Sequence, residues 1–134
     1  MTLASLVRIV AWWAVILAVA VFNGGVREKL LIPLLGPSTA LVTSGLILAF
    51  LVLAIAWVAV PGFGRLRAAD YWRMGVIWLV LTVAFEFGFG MLGRGQDLAE
   101  LLQAYTFQGG NLWLLVLAST LVSPRLAARL RGLT

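Results

Sequence analysis

The chain has 134 residues, of which 63% are hydrophobic and 11% charged, and its net charge is +5. A soluble domain usually carries about 25% charged residues, so this composition excludes an ordinary water-soluble fold and predicts an integral membrane protein. Cysteine and histidine are absent, which excludes disulfides, thiolate metal sites and imidazole chemistry. We expect no metal, no cofactor and no nucleic-acid partner, because membrane lipid headgroups suit the dispersed basic residues better.

Uncharged stretches predict four transmembrane helices within a single domain, residues 1–134. The predicted spans cover about residues 6–26, 38–60, 71–91 and 110–125. Asn23-Gly24-Gly25 predicts a loosened end of the first helix, because glycine readily adopts the left-handed conformation that ends helices. Two prolines, Pro33 and Pro37, predict an apolar connector over 30–35 that dips into the headgroup region. The predicted fold class is therefore an all-α integral membrane protein, a four-transmembrane-helix bundle.

A short amphipathic surface helix is predicted over 97–104, between the third and fourth spans. Asp97 and Glu100 have the spacing of a capping box, in which the first side chain accepts the N–H three residues along. The apolar residues with helical spacing that share one face of this segment are Leu98, Leu101, Leu102 and Tyr105. We expect that face to lie on the bilayer interface.

Lysine and arginine predict the orientation of the helices, because cytoplasmic loops carry more of them. Seven lie in the N-terminus, the 61–73 loop and the C-terminus, and three lie in the other two loops. We therefore expect both termini in the cytoplasm, with an aromatic belt on that side formed by Trp12, Trp13, Trp57, Tyr71 and Trp72. Arginine outnumbers lysine nine to one, which suggests a GC-rich bacterial genome and hence the inner membrane. As an alternative, Ala18-Val19-Ala20 resembles a signal-peptidase site, and cleavage there would leave three spans.

Glu86 is the single acid within the third predicted span. A charged acid at mid-membrane costs about 2.5–3.5 kcal/mol on insertion scales, so its side chain is expected to face protein or water. The small and polar residues that share its helical face are Gly75, Thr82, Gly90 and Gly93. One interpretation is a carboxylate that binds a proton, a cation or a polar substrate. The alternative is a packing role, as a hydrogen-bonding group or half of a buried ion pair.

Further candidate residues lie at the same predicted end of the bundle. They are Asn23, Arg27 and Glu28 after the first span, and Tyr105, Gln108 and Asn111 before the fourth. Arg27 or Lys29 would pair with Glu86, and Glu28 would take the other cation; an ordinary interfacial loop is the alternative. Asn111 would bond Glu86 or Asn23 across the bundle, or cap the fourth helix. Together with Thr82, these residues predict a polar pocket near the outer face, rimmed by the 30–35 connector and the 97–105 helix.

Three functions are compatible with this pocket. The first is a small transporter or channel component, expected to be a homo-oligomer because four spans enclose little space, in which Glu86 binds the transported ion or substrate. The second is a non-catalytic accessory, assembly or lipid-binding subunit that contacts another membrane protein or a lipid headgroup. The third is an enzyme acting on lipid phosphates, and we rank it last because histidine, cysteine and an acidic metal-binding motif are missing. Its acids would be Glu28, Glu86 and Asp97, and its phosphate-binding cations Arg27, Lys29 and Arg94.

Overall fold

The computed structural model describes residues 2–93, 95–102 and 112–133, without the side chain of Leu101. Within these residues the fold is all-helical, with 89% helix and no strand. Four helices of the described part are long and apolar enough to cross a membrane, as the sequence predicts. They are the continuous helical stretches Leu3–Leu35, Pro37–Phe63, Ala68–Gly93 and Trp113–Leu130.

The first helix, α1, covers Leu3–Val26 and begins where the Thr2 side chain accepts the N–H of Ser5 at 3.1 Å. It continues without a break through a π-helical turn, Arg27–Leu31, into the short helix α2, Ile32–Leu35. The helix therefore does not end at 23–25, and residues 30–35 are helical where the sequence suggested a break. The position of residues 30–35 at the headgroup region stays a prediction. Two glycines cost a helix only about 2 kcal/mol, and contacts of this segment with the next helix offset that cost.

The chain reverses at Gly36, whose φ of 85° lies in the left-handed region that favours glycine. Helix α3, Pro37–Ala59, begins directly after it, because proline suits the first turn of a helix. A 3₁₀ turn, Val60–Phe63, completes this second long stretch. Helix α4 follows at Ala68–Gly88, extended by a second π-helical turn, Phe89–Gly93.

The predicted surface helix corresponds to α5, Leu98–Leu102. Asp97 Oδ1 accepts the backbone N–H of Glu100 at 2.8 Å, which confirms the predicted cap. Leu98 and Leu102 are both exposed. The rest of the predicted face, including Tyr105, lies outside the described residues.

The last helix, α6, covers Trp113–Leu130 and so runs further than the predicted end at 125. Pro124 lies inside the helix and is buried together with Ser123, Ala127 and Ala128. The sequence analysis placed the end of the fourth span at 125, where the basic residues begin. The helix continues to Leu130 because its face of small residues, which includes Ala127 and Ala128, is buried against the other helices.

The long helices alternate in direction. Near one end, Arg8 Nη1 donates to Gly62 O at 2.6 Å and Arg131 Nη1 donates to Trp57 O at 3.2 Å. Both termini therefore lie at this end, which we name the termini end, and the opposite end is named the cavity end. Helix α1 packs against α3 and α4, and α6 packs against the same two helices.

The buried core fills the half of the molecule nearest the termini. Its largest fully buried side chains include Ile9, Val52, Met74 and Trp78. Tyr71 is also fully buried, so its predicted place in an exposed aromatic belt is wrong. Its hydroxyl donates to Gly64 O at 3.0 Å and accepts the N–H of Leu66 at 3.2 Å, which fixes the loop before α4.

Candidate functional site

A cavity of about 900 Å³ lies between α1, α3, α4 and α6 at the cavity end. Five of the residues that the sequence analysis names for the pocket line it, and they are Asn23, Arg27, Glu28, Thr82 and Glu86. Lys29, the alternative partner for Glu86, is exposed and is not among the lining residues. Tyr105, Gln108 and Asn111 lie outside the described residues. Binding of a ligand by the lining residues stays a prediction.

Glu86 lies on α4 one helical turn after Thr82, and its side chain is half-buried. Two other members of its predicted face, Gly75 and Gly90, are buried. This face points toward the other helices because glycine leaves room for their close approach. The carboxyl group of Glu86 is therefore placed on the wall of the cavity.

The hydroxyl of Thr82 forms part of the wall between α4 and α1. It donates to Trp78 O at 2.7 Å and accepts the indole N–H of Trp13 at 3.1 Å. A hydroxyl has one donor and two acceptor positions, and two of these three are used within the protein. We therefore assign Thr82 mainly to holding Trp13 in place.

Asn23 joins α1 to α3 through Ser44, and both residues are buried. Ser44 Oγ donates to Asn23 Oδ1 at 2.5 Å, and Asn23 Nδ2 donates to Ser44 O at 3.3 Å. Such buried pairs contribute on the order of 1 kcal/mol to helix association. Ser44 is a partner that the sequence analysis did not identify, because one serine in an apolar helix resembles an ordinary packing position.

Arg27 and Glu28 lie in the π-helical turn that follows α1, and Phe89 of the cavity wall lies in the one that follows α4. Such wide turns are frequent at functional sites. Arg27 Nε lies 3.6 Å from Glu28 Oε1. This ion pair is one of the two arrangements that the sequence analysis allowed for Glu28, the other being a pair with Lys29. Arg27 Nε is buried and has no hydrogen-bond acceptor among the residues that the structure describes.

Two further polar residues of the cavity wall, Gln96 and Glu100, come from the segment around α5. The sequence analysis used Glu100 only for its capping-box spacing. Its place in the cavity wall could not be read from a linear pattern, because it depends on how the chain turns after α4. Among the described lining residues there are thus three carboxyl groups, those of Glu28, Glu86 and Glu100, and one guanidinium, that of Arg27.

The cavity reaches about half-way through the bundle. Its lining extends as far as Trp13, Leu48, Thr82 and Val116, and most of the buried core lies between these residues and the termini end. Glu28 and Glu100 at the other limit are exposed. Among the described residues, the cavity has a polar end at Glu28 and Glu100 and an apolar floor toward the core. Within the described ranges, no three acidic side chains are grouped so that they could hold a metal ion.

Comparison with known proteins gives no match: no family model, no curated protein and no solved structure is significantly similar to the chain.

Proposed function

We propose that the chain is a multi-pass membrane protein whose cavity binds a positively charged group at Glu86, and that it acts as a small transporter or channel component. The observation that carries the proposal is the cavity itself. Its described wall has an excess of carboxyl groups, two of them at the polar end and Glu86 further from it. In a chamber partly shielded from water, a carboxylate attracts a cation more strongly than it does in bulk water.

The distribution of charge supports a membrane orientation. By sequence position, four of the five acids of the chain, all except Asp70, belong to the cavity end, while seven of its ten basic residues belong to the termini end. The positive-inside rule then places the termini in the cytoplasm and the polar end of the cavity on the outer side. We propose the bacterial inner membrane as the location, because arginine outnumbers lysine nine to one, as is typical of proteins from GC-rich bacterial genomes.

An apolar floor between the cavity and the termini end suits a carrier better than an open pore. The floor contains several of the most buried side chains of the protein, so passage through it would require the helices to move. If a second copy of the chain packed against the first, the helices could move against the surface of that copy. We therefore include a homodimer in the proposal.

A lipid-binding or accessory role is the second candidate. The cavity wall is largely apolar, and two of its apolar residues, Val21 and Phe89, are exposed by 63% and 46%. Such a surface suits hydrocarbon as well as a small cation. The same cavity would then accept part of a lipid, and transport would not be required.

The proposal is tested by replacing Glu86 with glutamine in purified protein reconstituted into liposomes. Flux of H⁺, K⁺ and methylammonium is measured under an imposed membrane potential. We expect wild-type protein to accelerate at least one of these fluxes, and E86Q to reduce it to the level of protein-free liposomes, because the amide carries no charge.

The matched control is D70N. Asp70 lies on the same helix but outside the cavity and pairs with Arg67 and Arg73, so this variant should transport like wild-type protein. The proposal of a transporter is contradicted if wild-type protein moves none of the three ions, or if E86Q matches it.

A further inference from the structure

An open apolar groove lies on the outer surface of the bundle at the termini end, between α1 and α4. Leu6 of α1 and Trp72 of α4 both line it. The remaining lining residues, all from α4, are Ala69, Arg73, Val76 and Ile77. Leu6, Trp72 and Val76 are exposed, so the described part of the chain leaves this groove of about 610 Å³ open to an occupant.

The groove lies near the level of the lipid headgroups if α1 and α4 span a bilayer. Leu6 belongs to the first turn of α1 and Ala69 to the first turn of α4, and the ends of spanning helices mark the boundary of the hydrocarbon core. Tryptophan is enriched at this boundary, which suits Trp72. A lipid can therefore place an acyl chain in the groove while its headgroup stays at the helix ends.

Two arginines beside the groove keep accessible donors. Arg73 Nη1 donates to Asp70 Oδ1 at 2.9 Å, and Arg67 Nε lies 3.8 Å from Asp70 Oδ2. The Arg67 and Arg73 side chains are nevertheless exposed by 78% and 57%, whereas that of Asp70 is exposed by only 14%. A guanidinium group has five N–H donors, so one carboxylate leaves donors of both arginines for a further anion.

The balance of charge at this end favours an anionic headgroup. By sequence position, the termini end has seven basic residues and a single acid, Asp70. The ammonium group of a zwitterionic lipid would meet mainly positive charge there, because two arginines already hold the Asp70 carboxylate. A phosphate without an ammonium group avoids that repulsion, and arginine suits it because the planar guanidinium group can donate two hydrogen bonds to one phosphate.

We infer that the groove binds an anionic phospholipid such as phosphatidylglycerol. The phosphate lies at Arg73 and Arg67, and an acyl chain lies along Leu6, Val76 and Ile77. Arg73 serves both parts of the lipid, because its alkyl stem can line an apolar groove while the guanidinium group stays in the polar layer. The inference goes beyond the proposed cation-binding role and does not involve the cavity. It rests on the proposed membrane location of the chain.

The test uses phospholipids with brominated acyl chains, which quench tryptophan fluorescence on contact. Protein is reconstituted into phosphatidylcholine vesicles that contain a minor fraction of brominated phosphatidylglycerol or, in parallel, brominated phosphatidylethanolamine. The chain has six tryptophans, so the share of Trp72 is taken as the difference between each protein and its W72F counterpart. We expect phosphatidylglycerol to quench Trp72 more strongly than phosphatidylethanolamine does.

Charge variants then locate the contact. R73Q is expected to lower the preference for phosphatidylglycerol about fivefold, the factor expected for one arginine at an anionic surface, and R67Q/R73Q to abolish it. R73K keeps the charge and should retain most of the preference. The matched control is R131Q, which removes one charge at the same end. Arg131 lies 4.8 Å from the centre of the Trp57 ring on α3, so Trp72 should keep the wild-type preference in this variant.

Circular dichroism and flotation of the vesicles check that each variant keeps its helix content and inserts. Equal quenching of Trp72 by the two lipids in wild-type protein, or a preference that survives R67Q/R73Q, would overturn the inference. Equal losses in R131Q and R73Q would also overturn it, because the overall charge of that membrane face would then select the lipid. If wild-type protein does not float with the vesicles, the inference and the proposed membrane location both fail.

Discussion

Replacing Gly75 with alanine is expected to destabilise the protein by about 3 kcal/mol, the upper part of the range for overpacked interiors. A Cβ atom at this position would lie 1.9 Å from the backbone oxygen of Leu121 on α6. Because a backbone carbonyl cannot rotate away as a side chain can, α4 and α6 would have to separate. The measurement is thermal unfolding of the purified protein in detergent, followed by circular dichroism.

Gly88 provides the matched control on the same helix. A Cβ atom there would meet nothing within 4 Å, and alanine favours helix over glycine by up to about 1 kcal/mol. G88A should therefore unfold at the wild-type temperature or slightly above it. Equal unfolding temperatures for G75A and G88A would show that α4 and α6 do not approach each other as closely as described.

Replacing Trp78 with alanine is expected to cost about 3–5 kcal/mol, as is usual for a fully buried large aromatic residue. Trp78 is inaccessible to solvent, and its indole N–H donates to Ile9 O at 2.9 Å. The substitution removes packing between α4 and α1 and also this hydrogen bond. Thermal unfolding in detergent measures the combined loss.

Two further variants divide the effect of Trp78. W78F keeps most of the packing and removes the N–H donor, so we expect a loss on the order of 1 kcal/mol. W72A changes an exposed tryptophan on the same helix and should alter stability by no more than about 0.5 kcal/mol. A loss in W72A as large as that in W78A would contradict the placement of Trp78 in the core.

Composition and charge spacing were sufficient to predict four long apolar helices. The predicted boundaries differ most around Asn23 to Leu35, where glycine and proline indicate a break and the helix nevertheless continues. The glycines and the proline of this segment disfavour a helix by only a few kcal/mol in total. The Asn23–Ser44 hydrogen bonds and the packing of α1 on α3 are tertiary contacts, which a linear pattern does not contain.

The candidate site was predictable in part, because an acid within an apolar span must be shielded from hydrocarbon. That argument identified Glu86 and Thr82, which both line the cavity, whereas the glycines predicted for the same face do not line it. It did not identify Ser44, Gln96 or the stacked rings of Phe85 and Phe89. Their positions depend on the turn after α4 and on the angles between the helices. The angle between α4 and α6 depends on close contacts such as that of Gly75 with Leu121.

The central claim is that Glu86 faces a water-accessible, acidic cavity and not lipid. The chain has no cysteine, so single thiols can be introduced in an unaltered background. E86C and, as a lipid-facing control on the same helix, V80C are treated in membrane vesicles with cationic and anionic methanethiosulfonate reagents. Val80 is 58% exposed and lies on another face of α4.

Water-soluble thiol reagents react with the thiolate, which forms only where water reaches the sulfur. We predict that E86C is labelled, faster by the cationic than by the anionic reagent, because the carboxyl groups of Glu28 and Glu100 remain in the cavity wall. V80C should react with neither reagent. Labelling of V80C in place of E86C would contradict the account, because Glu86 would then face the hydrocarbon.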